Sequence, residues 1–240
     1  TGRMIGKHQL ATEGIHIEQD ILREVVGSQD QVSAAYGGFN HILFSPTGEI
    51  SVRPVTIGYD LIRELNNHIM LFYTGIKRTA ANIASTYVDG IEDKAQQLRQ
   101  MKEFVDEALA ILNRPGCTHT FGELLNEAWQ VKRSLSGAVS NPEVDRLYQD
   151  ARAAGALGGK LTGAGGGGFL LLFVPEAKQP TVRERLSQLI QVPIQLEFAG
   201  SQIIFFDPQE DHAELDLARA NREIKAFREL AAVTQKIPAS

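Results

Sequence analysis

The stretch Gly159-Lys160-Leu161-Thr162-Gly163-Ala164-Gly165-Gly166-Gly167-Gly168-Phe169 decides how this chain is read. It lies in a window, residues 155–168, that holds eight of the chain's 22 glycines, where an even spread would place roughly one. Glycine loses more backbone freedom on folding than any other residue, about 0.5–1 kcal/mol against alanine in regular structure, so such clustering needs a geometric reason. Two reasons fit. One is a sharp turn packed against neighbouring backbone; the other is a loop whose bare amides lie against an anion such as phosphate. Gly163 to Gly168 satisfies G-x-G-x-x-G, but that fingerprint follows a strand and opens a helix. Here the run passes straight into Phe169-Leu170-Leu171-Leu172-Phe173-Val174, which reads as a central strand. A Walker A loop is absent, because the positions flanking Gly159-Lys160 that require Gly and Ser or Thr are Ala154 and Leu161. Lys160 itself reads either as a group orienting phosphates or as a surface lysine.

Working outward, the downstream residues predict a helix over 180–190, strands over 193–198 and 202–206, and a charged helix over 214–233. Upstream, residues 77–150 carry apolar positions at helical spacing, such as Leu98, Met101, Val105, Ala108 and Leu112, broken at Arg114-Pro115-Gly116 and Asn141-Pro142. Trp129, one turn from Leu125, reads as core. Residues 68–73 read as a buried strand ending before Gly75. Residues 39–44 and 49–55 read as a hairpin around Ser45-Pro46-Thr47-Gly48, and residues 7–26 as an amphipathic helix stopped by Gly27. The order strand, helix, strand, strand, helix predicts an α+β layer with helices on one face of a mainly antiparallel sheet.

Composition narrows the function classes. With 43% apolar residues among 240, the chain can bury a substantial core. Its net charge of −5 offers no basic field for a nucleic-acid backbone. The single Cys117 cannot form an internal disulfide, and the six histidines lack zinc-ligand spacing. The longest apolar run falls far short of the roughly 20 residues that span a bilayer. A cytoplasmic protein that binds neither nucleic acid nor membrane is therefore expected.

A second cluster, Ser28-Gln29-Asp30-Gln31 followed by Ala34-Ala35-Tyr36-Gly37-Gly38-Phe39-Asn40, places an acidic residue between two amides, with Glu18 twelve residues upstream. Taken alone, Asp30 reads as a capping or solvated residue. Two carboxylates beside a glycine-rich anion loop, however, can make a phosphoryl-transfer site. One carboxylate holds magnesium, the other accepts the proton of the attacking hydroxyl, and backbone amides bind phosphates.

The segment from Gly159 to Phe169 resembles the third motif of the GHMP kinases, the small-molecule kinases that include galactokinase, homoserine kinase, mevalonate kinase and phosphomevalonate kinase. Ser28-Gln29-Asp30-Gln31 is similar to the segment that holds their catalytic aspartate. Within the family, Ile17-Glu18-Gln19, Gln29 to Asn40 and Leu71-Phe72-Tyr73-Thr74-Gly75 most resemble the members acting on a heptose 7-phosphate, with fucokinase-type domains next.

The resemblance implies an α+β fold: the remainder of the family's first domain over residues 1–60, and over residues 61–240 a helical segment with a ferredoxin-like α+β carboxyl-terminal domain. It implies ATP and Mg2+ as cofactors, Asp30 as the catalytic base and Glu18 as the metal ligand. Gly163, Ala164, Gly165, Gly166, Gly167 and Gly168 would brace the nucleotide phosphates. The sugar phosphate would meet Gln31, Tyr36, Gly37 and Gly38, with Lys77 and Arg78 read either as a charged fork for its phosphate or as solvated. No Gly-Leu-Gly-Ser run of the family's second, ATP-wrapping motif occurs in these residues. The expectation is thus the carboxyl-terminal two-thirds of a kinase, whose missing motifs lie upstream or on a second chain. The competing reading is a non-catalytic fragment or binding partner.

Overall fold

Phe169–Phe173 alternates side chains so that Leu170 and Leu172 point to one face, where both are fully buried. This strand is the axis of the fold in a computed structural model, which describes residues 5–76, 91–114, 116–163, 165–204 and 213–221. In chain order the elements are α1 (Lys7–His16), a π-helical turn (Ile17–Ile21), α2 (Gln29–Tyr36), β1 (Asn40–Phe44), β2 (Ile50–Pro54), α3 (Tyr59–His68) and β3 (Ile69–Tyr73). A 3-10 turn (Ile91–Lys94) leads to α4 (Ala95–Leu112), α5 (Thr118–Ser134), α6 (Pro142–Ala153), β4 (Gly158–Leu161) and β5 (Phe169–Phe173). A second 3-10 turn (Glu176–Lys178), α7 (Gln179–Arg185), β6 (Ile190–Val192) and α8 (Ala213–Ala220) follow. Residues 5–202 form one unit, and α8 belongs to another. No helix among the described residues is long and apolar enough to cross a membrane.

The main sheet runs β4-β5-β3-β6 with every pair antiparallel, Leu71 facing both Leu171 and Val192. With helices between β3 and β4 and α7 between β5 and β6, this is the strand-helix-strand-strand-helix-strand order of the ferredoxin-like arrangement that the family resemblance implies, built from other strands than those read over 193–198 and 202–206. Met70 and Phe72 of β3 join Leu170 and Leu172 of β5 against Trp129, Val144, Leu147 and Tyr148 of α5 and α6. Trp129 is a core residue, its ring 6.2 Å from that of Tyr148. A separate small core of Ala11, Val32 and Ala35 joins α1 and α2 to the β1–β2 hairpin.

Several boundaries differ from the sequence reading. The first helix leaves α geometry at His16 and ends at Ile21 rather than residue 26, with Leu22 N–H donating to Ile17 O at 2.9 Å and Arg23 at φ 56°. Gln19 holds this reversal from within, donating to Val26 O and Ser28 Oγ, so the chain turns before Gly27 can act as a stop. Gln29–Tyr36 is a helix, and it, α3 and β4 are elements that the sequence reading does not contain. The helix predicted over 180–190 ends at Arg185, and Ile190–Val192 is instead an edge strand. Residues 193–198 form no strand: Pro193 lacks an amide to extend the ladder, and Leu196 N–H is taken by Asn66 Oδ1 at 2.8 Å. Residues 202–204 are irregular too, and 205–206 lie outside the described residues. Of the helix expected over 214–233, Ala213–Ala220 is described.

The strand β4 escaped notice because Gly158 and Gly159 carry little β propensity. Structure supplies the reason for them: a Cβ on Gly158 would collide with the backbone oxygen of Gly122 and stand 2.7 Å from Asn126 N, both in α5. Helix and strand touch backbone to backbone there. Gly158→Ala is expected to destabilise by about 1–3 kcal/mol through overpacking, read as a lower urea midpoint at unchanged m-value.

Candidate functional site

The glycine loop joins β4 to β5. Gly163, Gly165, Gly166 and Gly168 all occupy left-handed backbone (φ 70°, 110°, 75° and 88°), which glycine alone adopts without strain. The loop is pinned at alternate amides. Gly166 N–H donates to Val139 O at 2.8 Å and Gly168 N–H to Ile76 O at 2.9 Å, while Asn141 Nδ2 donates to Gly166 O at 3.0 Å. Asn141 also caps α6, its Oδ1 accepting from Glu143 and Val144 N–H, so the loop is tied to a helix start. The amides of Gly163, Gly165 and Gly167 donate to no acceptor among the described residues. An anion could reach these three. Ala164 lies outside the described residues.

Two lysines flank this loop. Lys132, in the last turn of α5, donates from Nζ to Gly163 O at 2.6 Å. Lys160 sits in β4, three residues before Gly163. Both are half-buried. Burial pushes the Lys132 ammonium down to about 8, Lys160 pushes it the same way, and the carboxylate of Asp30 opposes both. Lys160 is likewise lowered by burial and raised by Asp30. Asp30, exposed in the first turn of α2, thus shares one electrostatic neighbourhood with the lysines of the glycine loop. Its carboxylate forms no hydrogen bond or ion pair among the described residues, and the N-cap Ser28 makes no side-chain cap bond.

Glu18 lies in the π-helical turn, half-buried, and accepts a hydrogen bond from Gln31 Nε2 at 2.6 Å. The other terminus of that amide, Gln31 Oε1, is buried with no partner among the described residues. A carboxylate beside an unsatisfied amide oxygen is a donor set suited to a hard cation. No group of three or more His, Cys, Asp or Glu side chains gathers as a metal cage among the described residues, so further ligands would come from water and phosphate.

Tyr36, Gly37 and Gly38 are brought against residues 197–201, which sequence reasoning did not single out. Gly37, at φ 62°, abuts Gly200 so closely that a Cβ would strike its backbone nitrogen. Lys7 Nζ donates to Tyr36 O at 2.7 Å and Ala199 O at 2.6 Å, and Gly38 N–H to Glu197 O at 2.7 Å. The Glu197 carboxylate, accepting from Gly200 and Ala199 N–H, is held below its ordinary range. A shallow depression of about 450 Å³ opens there, lined by Ser33, Ala34, Gly37, Gly38, Glu197 and Ser201. Lys77 and Arg78 lie outside the described residues. Lys132 was missed because only the packing of α5 on β4 reveals its position; in the sequence it is one basic residue in a helix's last turn.

Residues 112–191 match the family model described as GHMP kinases C terminal. A D-glycero-alpha-D-manno-heptose 7-phosphate kinase of Campylobacter jejuni is 32% identical over 177 residues, 73% of this chain and 52% of that protein. A bifunctional fucokinase/GDP-fucose pyrophosphorylase of Arabidopsis thaliana is 27% identical over 180 residues, 70% of this chain and 17% of its own length. The chain thus spans about half or less of the length of these relatives. Among solved structures, a D-glycero-D-manno-heptose 1-phosphate kinase of Bacteroides thetaiotaomicron shares the fold, with a TM-score of 0.60 at 22% identity over 85% of this chain and 57% of that one.

The lowered Lys132 makes stability depend on pH with a definite sign. Below about 8 both folded and unfolded states hold the proton and the burial cost is fully present; between about 8 and the ordinary 10.5 the folded protein releases a proton the unfolded chain keeps. Stability contributed through this group therefore rises with pH across that window. Urea midpoints measured from pH 7 to 10 should rise more in the wild type than in Lys132→Met.

Proposed function

We propose that this chain, whose residues 112–191 are a GHMP kinase carboxyl-terminal domain, contributes to transfer of the γ-phosphoryl group of ATP to the anomeric hydroxyl of a sugar phosphate. The observation that supports this best is the shared neighbourhood of Asp30 and the two glycine-loop lysines. A carboxylate set among cations at an anion loop suits a hydroxyl about to attack phosphorus. In this reading Asp30 orients the hydroxyl and accepts its proton as the oxygen bonds to phosphorus and the bond to the ADP oxygen breaks. The amides of Gly163, Gly165 and Gly167 receive phosphate oxygens. Glu18, with Gln31 Oε1, would hold Mg2+, which when bound supplies neutralisation of phosphate charge. The loop that wraps ATP in the family's second motif is assigned to residues outside this sequence, upstream or on a second chain.

The acceptor is proposed to be D-glycero-D-manno-heptose 7-phosphate, giving the 1,7-bisphosphate. Support comes from the Campylobacter jejuni relative, which bears that activity in its name, and from the sequence similarity through Gln29 to Asn40. Specificity constants for the complete enzyme across heptose 7-phosphate, fucose, galactose and mevalonate should be highest for the heptose. A maximum for fucose or galactose replaces the substrate and leaves the kinase class standing.

Asp30→Asn keeps the shape and removes the base, so turnover should fall about 10²-fold or more with nucleotide affinity and melting temperature nearly unchanged. A capping role alone would leave turnover intact, because asparagine caps as well as aspartate. Glu18→Gln should instead raise the magnesium concentration needed for half-maximal rate, since a neutral amide binds a hard cation less well.

A further inference from the structure

Lys132 takes no part in the proton transfer or metal binding assigned above, yet its placement is unusual for a lysine. Its ammonium crosses from the end of α5 to Gly163 O at the mouth of the glycine loop, 2.6 Å away. The next residue, Arg133, is committed to an ion pair with Asp145 at 2.7 Å; Lys132 forms no ion pair among the described residues. Lys160 stands on the strand that α5 touches backbone to backbone at Gly158, so helix and strand cannot slide to separate the two cations. A favourable position for a cation at a helix carboxyl end explains one of them. It does not explain two half-buried like charges at one loop, whose repulsion grows as water is excluded.

We propose that Lys132 and Lys160 form a clamp for phosphoryl oxygens at the glycine loop, with Gly163 O the resting partner of Lys132 in the ligand-free protein. The inference rests on the phosphoryl-transfer reading for the identity of the group, the one passed to the hydroxyl at Asp30. Burial and Lys160 disfavour the charge on Lys132, and Asp30 supports it. An arriving polyanion reverses that balance and draws a proton onto Lys132. A lysine serving only to tie α5 to the loop would take up none.

The test is calorimetric titration of the intact protein with inorganic tripolyphosphate at pH 8.5, without magnesium, in buffers of different ionisation enthalpy. The wild type should take up about half a proton per site more than Lys132→Met, whose value carries the proton exchange of the tripolyphosphate itself. Lys132→Met and Lys132→Gln should each weaken binding about tenfold or more and remove that excess, whereas Lys102→Met, which removes an exposed charge elsewhere on α4, should change neither. Melting curves at pH 7 should show the Lys132 variants folded and no less stable than the wild type, because a costly buried charge has gone. Absence of tripolyphosphate binding, binding without that excess uptake, or equal binding by the Lys132 variants overturns the proposal, as does equal weakening by Lys102→Met. The kinase reading is decided separately: Lys132-dependent anion binding in a complete enzyme that transfers no phosphate rejects that reading alone, and transfer unaffected by Lys132→Met rejects the clamp alone.

Discussion

Backbone contact between α5 and β4 is the constraint on which the rest depends. Gly158 admits the Gly122 carbonyl and the Asn126 amide where any side chain would hold helix and strand apart. This contact sets the helix against the strand that feeds the glycine loop, and so decides how far the end of α5 reaches. Lys132 arrives within hydrogen-bonding distance of Gly163 because of it. The same approach buries Trp129 and Tyr148 over the sheet, with the Tyr148 hydroxyl donating to Asn126 Oδ1 at 2.8 Å, and its deprotonation is pushed up to about 12 by that burial. Packing and the candidate site are two consequences of one missing Cβ.

The glycine run itself divides its labour. Gly166 and Gly168 spend their amides on Val139 and Ile76, which fixes the loop to the α5–α6 connection and to the end of β3. Left-handed backbone at Gly163, Gly165, Gly166 and Gly168 shapes the turn between those bonds. The packed-turn reading of the cluster therefore holds at Gly166 and Gly168, and in the proposed function the unpinned amides between them are the ones offered to phosphate, on a loop those bonds keep rigid. Against this rigid element, Asp30 and Glu18 arrive from α2 and the π-helical turn, held together through Gln31 and the small core of Ala11, Val32 and Ala35.

Much of this was legible in the sequence where a single physical cause acts locally. The apolar run of β5, the hairpin around Pro46-Thr47-Gly48 and the helix break at Asn141-Pro142 carry their causes in neighbouring residues. The glycine cluster announced itself by composition. Other features depend on distant partners. The strand β4 owes its glycines to α5, and α2 is an eight-residue helix with only Val32, Ala34, Ala35 and Tyr36 to mark an apolar face. The helix α3 was in principle readable, since Leu61 and Leu65 stand one turn apart and pack in the second core with Ile111, Leu112 and Phe173. Lys132 is the instructive omission. Nothing beside it in the chain marks it; thirty-one residues separate it from the carbonyl it binds, and only the fold gives that separation its meaning.

The central claim is that Asp30 and the lysines of the glycine loop share one electrostatic site. It is tested most directly by titrating Lys132 with NMR after reductive 13C-methylation of the protein, in the wild type and in Asp30→Asn, with no ligand present. Asp30 holds the ammonium up against burial and Lys160, so neutralising it should drive the Lys132 midpoint further below its wild-type position near 8. A midpoint unmoved by Asp30→Asn would place the carboxylate outside the site and contradict the account.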